Sequence, residues 1–407
     1  MTTLHDEIDA LAQIDSEHPG GGLVREVYTA EYDRAVEFVS GLMRDAGLQT
    51  RLDAAGNLYG EWTGTEPDQP RVLTGSHVDT TLNAGRYDGV LGVLGAIEAV
   101  RRLRADGHLP RRTIELVGIA GEEPRFGSGC IGSRAMTGTI TRDELDRMRD
   151  RDGVSIAAAM RDRDLDPDQL DAAIIDFASI HCFVELHIEQ GAVLETTGAE
   201  IGIVQRIAAP HDLRVTLGGR AMHAGATPMR LRADALVGAA EAVLELERLA
   251  LASSTGTTVA TVGVLRVDPG AVNVIPGHVE MDIDIRDSDA DARERVVAAI
   301  TAKLSELAER RELQLTVETI TRDEPAACSP IVIDAVRGAC AELEVAAVDM
   351  ISGAYHDAMV LGAQVPIGMI FVPSALGLSH HPDEYTAPQD VDRGVAVLAG
   401  TLARLSA

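Results

Sequence analysis

Five separated stretches of the chain set a histidine or carboxylate among residues that constrain it. They are Gly75-Ser76-His77-Val78-Asp79-Thr80, Tyr87-Asp88-Gly89, Gly121-Glu122-Glu123, Glu185-Leu186-His187-Ile188-Glu189-Gln190-Gly191 and Ser379-His380-His381-Pro382. Imidazole and carboxylate without thiolate are donors that suit zinc, and also manganese, cobalt or nickel. His77 and Asp79 stand two apart at the end of an expected strand, so both face one side. A ligating histidine needs its second ring nitrogen tied down, commonly by a carboxylate; His77 is therefore expected as ligand and Asp79 as its orienter. Asp88, ahead of a glycine and a helix start, reads alone as an N-cap; in this company it could bridge two cations. Glu122 and Glu123 end a buried stretch, where adjacent carboxylates are costly without positive charge. Metal ions supply that charge, so that one carboxylate coordinates while its unbound neighbour takes a proton from metal-held water. His187 closes a strand. His380 and His381 lie on a late, non-helical stretch able to reach back, and residue chemistry does not choose between them. Together the five stretches indicate a two-metal hydrolytic site. Two divalent ions outweigh Asp88, one glutamate and a bridging hydroxide, which suits an anionic substrate and a developing oxyanion.

The elements that must position these residues follow from apolar spacing. Strands are expected at 71–75, 113–120 and 181–188, with helices at 29–46 and 89–105 between or before them. The 113–120 stretch is apolar enough to be buried on both faces. Such alternation indicates an α/β fold with a mainly parallel central sheet flanked by helices. Gly89, Gly92 and Gly95 imitate a nucleotide fingerprint, but Tyr87-Asp88 stands where a phosphate turn would be, so close helix packing explains them better. Near Ala209-Pro210 the character changes. Strands at 211–217, 257–267, 278–287 and 313–320 and helices at 234–251 and 290–311 make an α+β block, and 278–287 alternates as a sheet with one wet face should. After Pro325 the α/β pattern resumes. The expected organisation is a discontinuous catalytic di-metal domain, 1–208 and 325–407, with 209–324 inserted.

Composition bounds the rest. A chain of 407 residues exceeds the size of one growing core, and 45% hydrophobic with 25% charged residues is ordinary for a globular protein. A formal charge of −28 repels phosphate backbones, and with no basic stripe it argues against nucleic acid as partner. No apolar run reaches about 18 residues, so no membrane span is expected, and the first residues lack a secretion signal. A cytoplasmic address follows as the expectation. Cys130, Cys182, Cys328 and Cys340 show no Cys-x-x-Cys spacing and read as reduced core residues.

The same stretches resemble the hydantoinase/carbamoylase-type amidases, a group that includes N-carbamoyl-L-amino acid hydrolase, β-ureidopropionase and allantoate amidohydrolase. That group lies within the aminoacylase and carboxypeptidase G-like metallopeptidase family. The resemblance runs from about Gly75 to Tyr385 and rests on Ser-His-x-Asp-Thr, Tyr-Asp-Gly, Gly-Glu-Glu, Leu-His-Ile-Glu-Gln-Gly and Ser-His-x-Pro-x-Glu, with Gly132-Ser133-Arg134-Ala135 and Phe371-Val372-Pro373-Ser374 in support. It implies His77 and His187 on one metal, Glu123 and His380 on the other, Asp88 between them, and Glu122 as general base and then acid. It also selects His380 over His381. It implies that the inserted block is a lid that forms a homodimer. There His223 (in Gly219-Arg220-Ala221-Met222-His223-Ala224-Gly225) would steady the oxyanion, often from the partner subunit. Asn273 and Arg286 would hold the substrate carboxylate, and Gln190 would make a further substrate contact. The implied reaction is cleavage of the carbamoyl C–N bond of an N-carbamoyl-L-amino acid. The alternatives are allantoate or β-ureidopropionate as substrate, N-acyl or peptide hydrolysis, and an idle carboxylate-binding paralogue. The loop Glu122-Glu123-Pro124-Arg125-Phe126 is a residue shorter than the family's spacing, which bears on substrate choice rather than on the metals.

Overall fold

The structure, a computed structural model, describes residues 2–15 and 19–407; Met1 and residues 16–18 lie outside the described residues. It divides into two compact units. The larger runs to Gln205 and includes Ala327–Met350 and His356–Ala407; the smaller is Arg206–Ala326 with Ile351–Tyr355. The sequence pattern leaves 351–355 with the larger part, whereas these five residues cluster with the smaller one, where the Ala208 N–H donates to the Ser352 carbonyl at 2.8 Å.

In chain order the strands are β1 Gln49–Leu52, β2 Leu58–Trp62, β3 Arg71–His77, β4 Ile114–Ile119, β5 Ile180–Ile188, β6 Ile201–Ile207, β7 Ala209–Gly218, β8 Val259–Asp268, β9 His278–Asp287, β10 Gln314–Arg322, β11 Ala326–Ala327, β12 Ala347–Ser352 and β13 Ile367–Val372. Among the described residues, nine form a sheet of order β1-β2-β4-β3-β5-β13-β6-β11, with β12 beside β6. The four central strands, β4-β3-β5-β13, are mutually parallel, while β2 and β6 join antiparallel at the flanks. Parallel strands need helices on their faces. Accordingly β4 and β13 are buried along their whole length, and so is most of β5. Helices Val90–Ala105 and Pro388–Leu405 pack on this centre.

The helix Val90–Ala105 settles the role of its glycines. A Cβ at Gly92 would sit 2.5 Å from the Leu186 carbonyl oxygen and 2.5 Å from Ser76 Cβ. The spacing that imitates a nucleotide fingerprint is thus a close approach of the helix to β3 and β5. Three helices of six residues, Ile131–Met136, Arg142–Arg147 and Ile156–Arg161, were not anticipated. Each is under two turns, too short for a 3.6-residue period to register.

In the smaller unit β10-β7-β9-β8 form an antiparallel sheet. Along β9 every second side chain is buried, so Val279, Met281, Ile283 and Ile285 face the core while the others stay partly wet. Helices Ala235–Leu251 and Ala290–Arg311 cover that apolar face through Ala239, Leu246, Ile300 and Leu304. Both helices start on an aspartate cap: Asp234 accepts from Leu236 and Val237 N–H, and Asp289 from Ala292 N–H.

Gly92→Ala is expected to cost about 1–3 kcal/mol, because the new methyl meets a main-chain carbonyl that cannot step aside. Thermal unfolding reads this; a midpoint equal to that of the parent would mean the helix can back away from β5.

Candidate active site

Each of the four central parallel strands ends at the same edge of the sheet, and each contributes there. His77 is the last residue of β3. Glu122 and Glu123 follow β4 after two residues, His187 is next to last in β5, and the loop after β13 carries Ser379 and His380. From β3 the chain crosses to β4 on one side, then returns to β5 on the other. The strand order therefore reverses at β3, the place where open α/β sheets form their binding crevice.

Asp88 is shared between two groups. Gly89, with φ 66°, begins the helix Val90–Ala105 without a side-chain cap, so the Asp88 carboxylate is free of that task. Its Oδ1 lies 3.2 Å from His187 Nε2 and 3.7 Å from His77 Nε2. Its Oδ2 lies 3.3 Å from His380 Nε2, which is also 3.3 Å from Glu123 Oε1. His77, Asp88 and His187 thus bring ligand atoms within 4.8 Å of one another, and so do Asp88, Glu123 and His380. Glu122 belongs to neither group; its Oε2 stands 3.7 Å from His77 Nε2.

The ring nitrogens favour a metal. His77 Nδ1 is 3.0 Å from the Asp79 carbonyl oxygen, and His187 Nδ1 is 2.9 Å from the Ile188 carbonyl oxygen. A carbonyl only accepts, so both Nδ1 atoms carry a proton and each ring turns its Nε2 inward, where the neutral form would offer a lone pair to a metal. Among the described residues, His187 Nε2 is buried with no partner in hydrogen-bond geometry, although Asp88 Oδ1 lies 3.2 Å away. Here the expected orienter of His77 is corrected. The Asp79 carbonyl holds the ring, while its carboxylate, 3.8 Å from Nδ1, accepts from the Gly121 and Glu123 N–H groups at 3.1 and 3.0 Å. The strand ends at His77, so the two-residue alternation that would place the Asp79 side chain beside the ring no longer holds.

Electrostatics point the same way. The ion pairs of Asp79, Asp88, Glu122 and Glu123 among the described residues are all to histidine. Burial pushes Asp79 up to about 6, against the pull of His77. Burial, and beyond it Glu123, Asp357 and Asp88, hold the Glu122 carboxyl well above the usual carboxylate range. Asp88 and Glu123 push His380 up to about 11. So much buried carboxylate demands positive charge, and divalent ions at the two groups would supply it in place of protons.

Comparison with known proteins agrees. Residues 73–404 match the peptidase family M20/M25/M40. The chain is 44% identical over 389 residues to the N-carbamoyl-L-amino acid amidohydrolase of Geobacillus stearothermophilus, covering 95% of this chain and 94% of that one. It is 42% identical to the ureidoglycolate hydrolase of Arabidopsis thaliana, covering 99% and 86%. In structure it is similar to a hydantoinase/carbamoylase family amidase from Burkholderia multivorans, with a TM-score of 0.91, 32% identity and coverage of 99% and 97%. The chain belongs to peptidase family M20/M25/M40.

In this M20 chain the substrate-contact candidates are distributed unevenly. Gln190, with φ 57°, donates from Nε2 to Asp88 Oδ2 at 2.8 Å. In the smaller unit His223 bridges to Val274, and Ala224 N–H donates to the Asn273 carbonyl, so His223 and Asn273 are neighbours. Both are exposed. Arg286 is elsewhere. It lies near the far end of β9, opposite Val259, whereas Asn273 follows Asp268, which pairs with His278 at the near end. Eight residues of strand span roughly 26 Å. One chain therefore does not bring Asn273 and Arg286 to the same small carboxylate, contrary to the simplest reading of the resemblance. Strand register, invisible to a motif, separates them. Arg286 is meanwhile engaged by the Asp284 carboxylate at 2.7–2.9 Å and by the Gly353 carbonyl at 3.2 Å.

Four polar residues at the site went unassigned from sequence. Glu185 accepts from Ser76 Oγ at 2.6 Å. The His356 ring lies edge-on against His187 with centroids 4.7 Å apart, and Glu185, His187 and His356 form a third candidate ligand group. Asp357, fully buried, accepts from Ser133 Oγ at 2.6 Å and is pushed up to about 7 by burial and then by Glu185. Glu384 is buried beside the Asp88 loop. The His356-Asp357 pair ahead of a short helix was the available signal; only folding shows that it is buried. Cys130, Cys182, Cys328 and Cys340 are free and buried.

Because neighbouring carboxylates hold His77, His187 and His380 above the ordinary histidine value, the ion-free site carries protons near neutrality. A divalent ion must displace them, so zinc affinity should rise between about pH 6 and about pH 8, with protons released on binding. Calorimetry in buffers of different ionisation heat measures the release. A heat independent of buffer would contradict it.

Proposed function

We propose that this chain is a two-metal amidohydrolase that cleaves the carbamoyl C–N bond of an N-carbamoyl-L-amino acid. The observation that carries it is the division of the Asp88 carboxylate, Oδ1 toward His77 and His187 and Oδ2 toward His380, with Glu122 uncommitted beside it. His77 and His187 would hold one ion, Glu123 and His380 the other, and Asp88 both. Bound divalent ions supply Lewis-acid polarisation of the carbonyl and a water that ionises near neutrality. Zinc suits these donors, as would manganese, cobalt or nickel. Glu122 accepts the proton of the attacking water and passes it to the leaving nitrogen. Burial holds its carboxyl well above the usual carboxylate range in the ion-free state, so nearby divalent charge would favour the ionised form that accepts a proton.

A second reading, hydrolysis of another ureido acid such as ureidoglycolate or allantoate, is favoured by the ureidoglycolate hydrolase at 42% identity across nearly the whole chain. Both readings use the same machinery. They separate on a panel of carbamoyl amino acids, ureidoglycolate, allantoate, β-ureidopropionate and acetylated amino acids, with amine or ammonia release followed. Turnover of acetylated compounds alone would discard both. Glu122→Gln is expected to reduce kcat by about 100-fold or more while bound metal is unchanged; undiminished turnover would remove Glu122 from the mechanism.

We also propose that the smaller unit is a lid and the dimerisation element. The support is the placement of Asn273 in the connection between β8 and β9, past the Asp268–His278 pair, and of Arg286 near the opposite end of β9: a small carboxylate contacted by both requires two chains. His223, neighbour of Asn273, would then steady the oxyanion in the partner's site. Mixing Glu122→Gln and His223→Ala chains tests this, because a mixed dimer restores one complete site if His223 acts across the interface. Mixtures as inactive as either parent would refute it. Free, buried cysteines suit a reducing compartment, and we place the enzyme in the cytoplasm; among the described residues no helix is long and apolar enough to cross a membrane.

A further inference from the structure

The loop that carries Asp88 is pinned by a residue with no part in the chemistry above. Glu384, four residues beyond His380, directs Oε1 at the main chain of that loop, accepting from Tyr87 N–H at 2.8 Å and from Asp88 N–H at 3.1 Å. Ser379 Oγ lies between the two carboxylates, 2.5 Å from Asp88 Oδ2 and 3.3 Å from Glu384 Oε2. Packing also holds the loop close to its neighbours. A Cβ at Gly85 would fall 2.3 Å from Glu384 Cβ and 2.4 Å from its Oε1, and one at Gly89 would fall 2.4 Å from the His77 ring. The loop is thus pressed on Glu384 at one end and on His77 at the other. Tyr87 and Tyr385, the residues next to Asp88 and Glu384, meet edge-on with centroids 6.2 Å apart.

This pinning bears unequally on the two candidate metal groups. His77 and His187 sit at strand ends with Nδ1 fixed by main-chain carbonyls. Among the described residues no main-chain carbonyl anchors His380 in this way: it is half-exposed, on a loop, with φ 55°. Its group otherwise consists of Glu123 and the Oδ2 of Asp88. Glu384 joins the His380 loop to the Asp88 loop and so sets the separation of two members of that group.

We propose that Glu384 is the positioning residue for the Asp88 bridge, and that retention of the ion on the His380–Glu123 side depends on it far more than retention on the His77–His187 side. This rests on the two-metal reading, from which its test is separable. Ion-free parent, Glu384→Ala and Glu384→Gln proteins are titrated with zinc by calorimetry, and bound zinc is counted after desalting. The parent should take up two ions. Glu384→Ala should keep the first and bind the second about 10–100-fold more weakly, the usual loss for an outer partner of a ligand. Glu384→Gln, whose amide oxygen can accept the same two N–H bonds, should recover most of that loss. Two ions at parental affinity in Glu384→Ala, or equal weakening of both, would overturn the role. A parent that binds no pair of ions would instead overturn the two-metal reading itself. Should Glu384→Ala fail to fold, Glu384→Asp, whose shorter side chain draws the carboxylate back from the Tyr87 and Asp88 N–H groups, reads the same link: selective weakening of the second ion supports it, and an unchanged second ion overturns it.

Discussion

A single carboxylate facing two histidine-containing groups sets the terms for everything around it. Asp88 can serve both only if its loop is immobile and its two oxygens diverge, and only if something positive offsets the acids crowded about it. Asp79, Glu122, Glu123, Glu185, Asp357 and Glu384 all lie buried or nearly so in the same unit. Leaving them charged with histidine alone as counter-charge would be unfavourable. The carboxyl groups of Asp79, Glu122, Asp357 and Glu384 are accordingly held above their ordinary range, with burial the largest cause. Such an arrangement is a poor way to stabilise a fold and a good way to demand cations.

The scaffold meets that demand with main-chain groups wherever it can. Carbonyls of Asp79 and Ile188 fix the two strand-end histidines, and N–H groups of Gly121 and Glu123 fix the Asp79 carboxylate. Main-chain partners at the ends of a buried parallel sheet are among the least mobile donors and acceptors a protein has. The glutamate pair is held in turn by Ile131 N–H to Gly121 and Cys130 N–H to Glu122. The loop after Glu123 is closed by these bonds, which leave Glu122 and Glu123 at the sheet edge. Beyond them Arg125 donates to the Val27 carbonyl and the Asp150 carboxylate.

The smaller unit follows a different logic. Its sheet is half wet, its helices cover one face, and its candidate substrate contacts are divided between Arg286 near the end of β9 and the His223 and Asn273 loops beyond its start. On the proposed reading, a small carboxylate held by both Asn273 and Arg286 would call for a second copy of the chain, because the register of β8 and β9 keeps the two residues apart.

Much of this was legible from residue order. Strand β9 and the helix Ala290–Arg311 fall where alternation and apolar spacing put them. The larger sheet's parallel centre follows from apolar strands alternating with helices. His77, Asp88, the Glu122-Glu123 pair and His187 were singled out at the start or end of an element, where a short pattern carries the information, whereas the choice of Glu123 over Glu122 and of His380 over His381 came from the resemblance to a family. Local periodicity and end signals are properties of neighbouring residues, so a sequence displays them. Which atom of Asp79 holds His77, how the Asp88 oxygens divide, and that Glu384 pins a loop some 297 residues earlier in the chain are decided by contacts between distant segments. So are the burial of His356 and Asp357 and the parting of Asn273 from Arg286. No spacing encodes these, because each depends on where the sheet brings separate strands to an end.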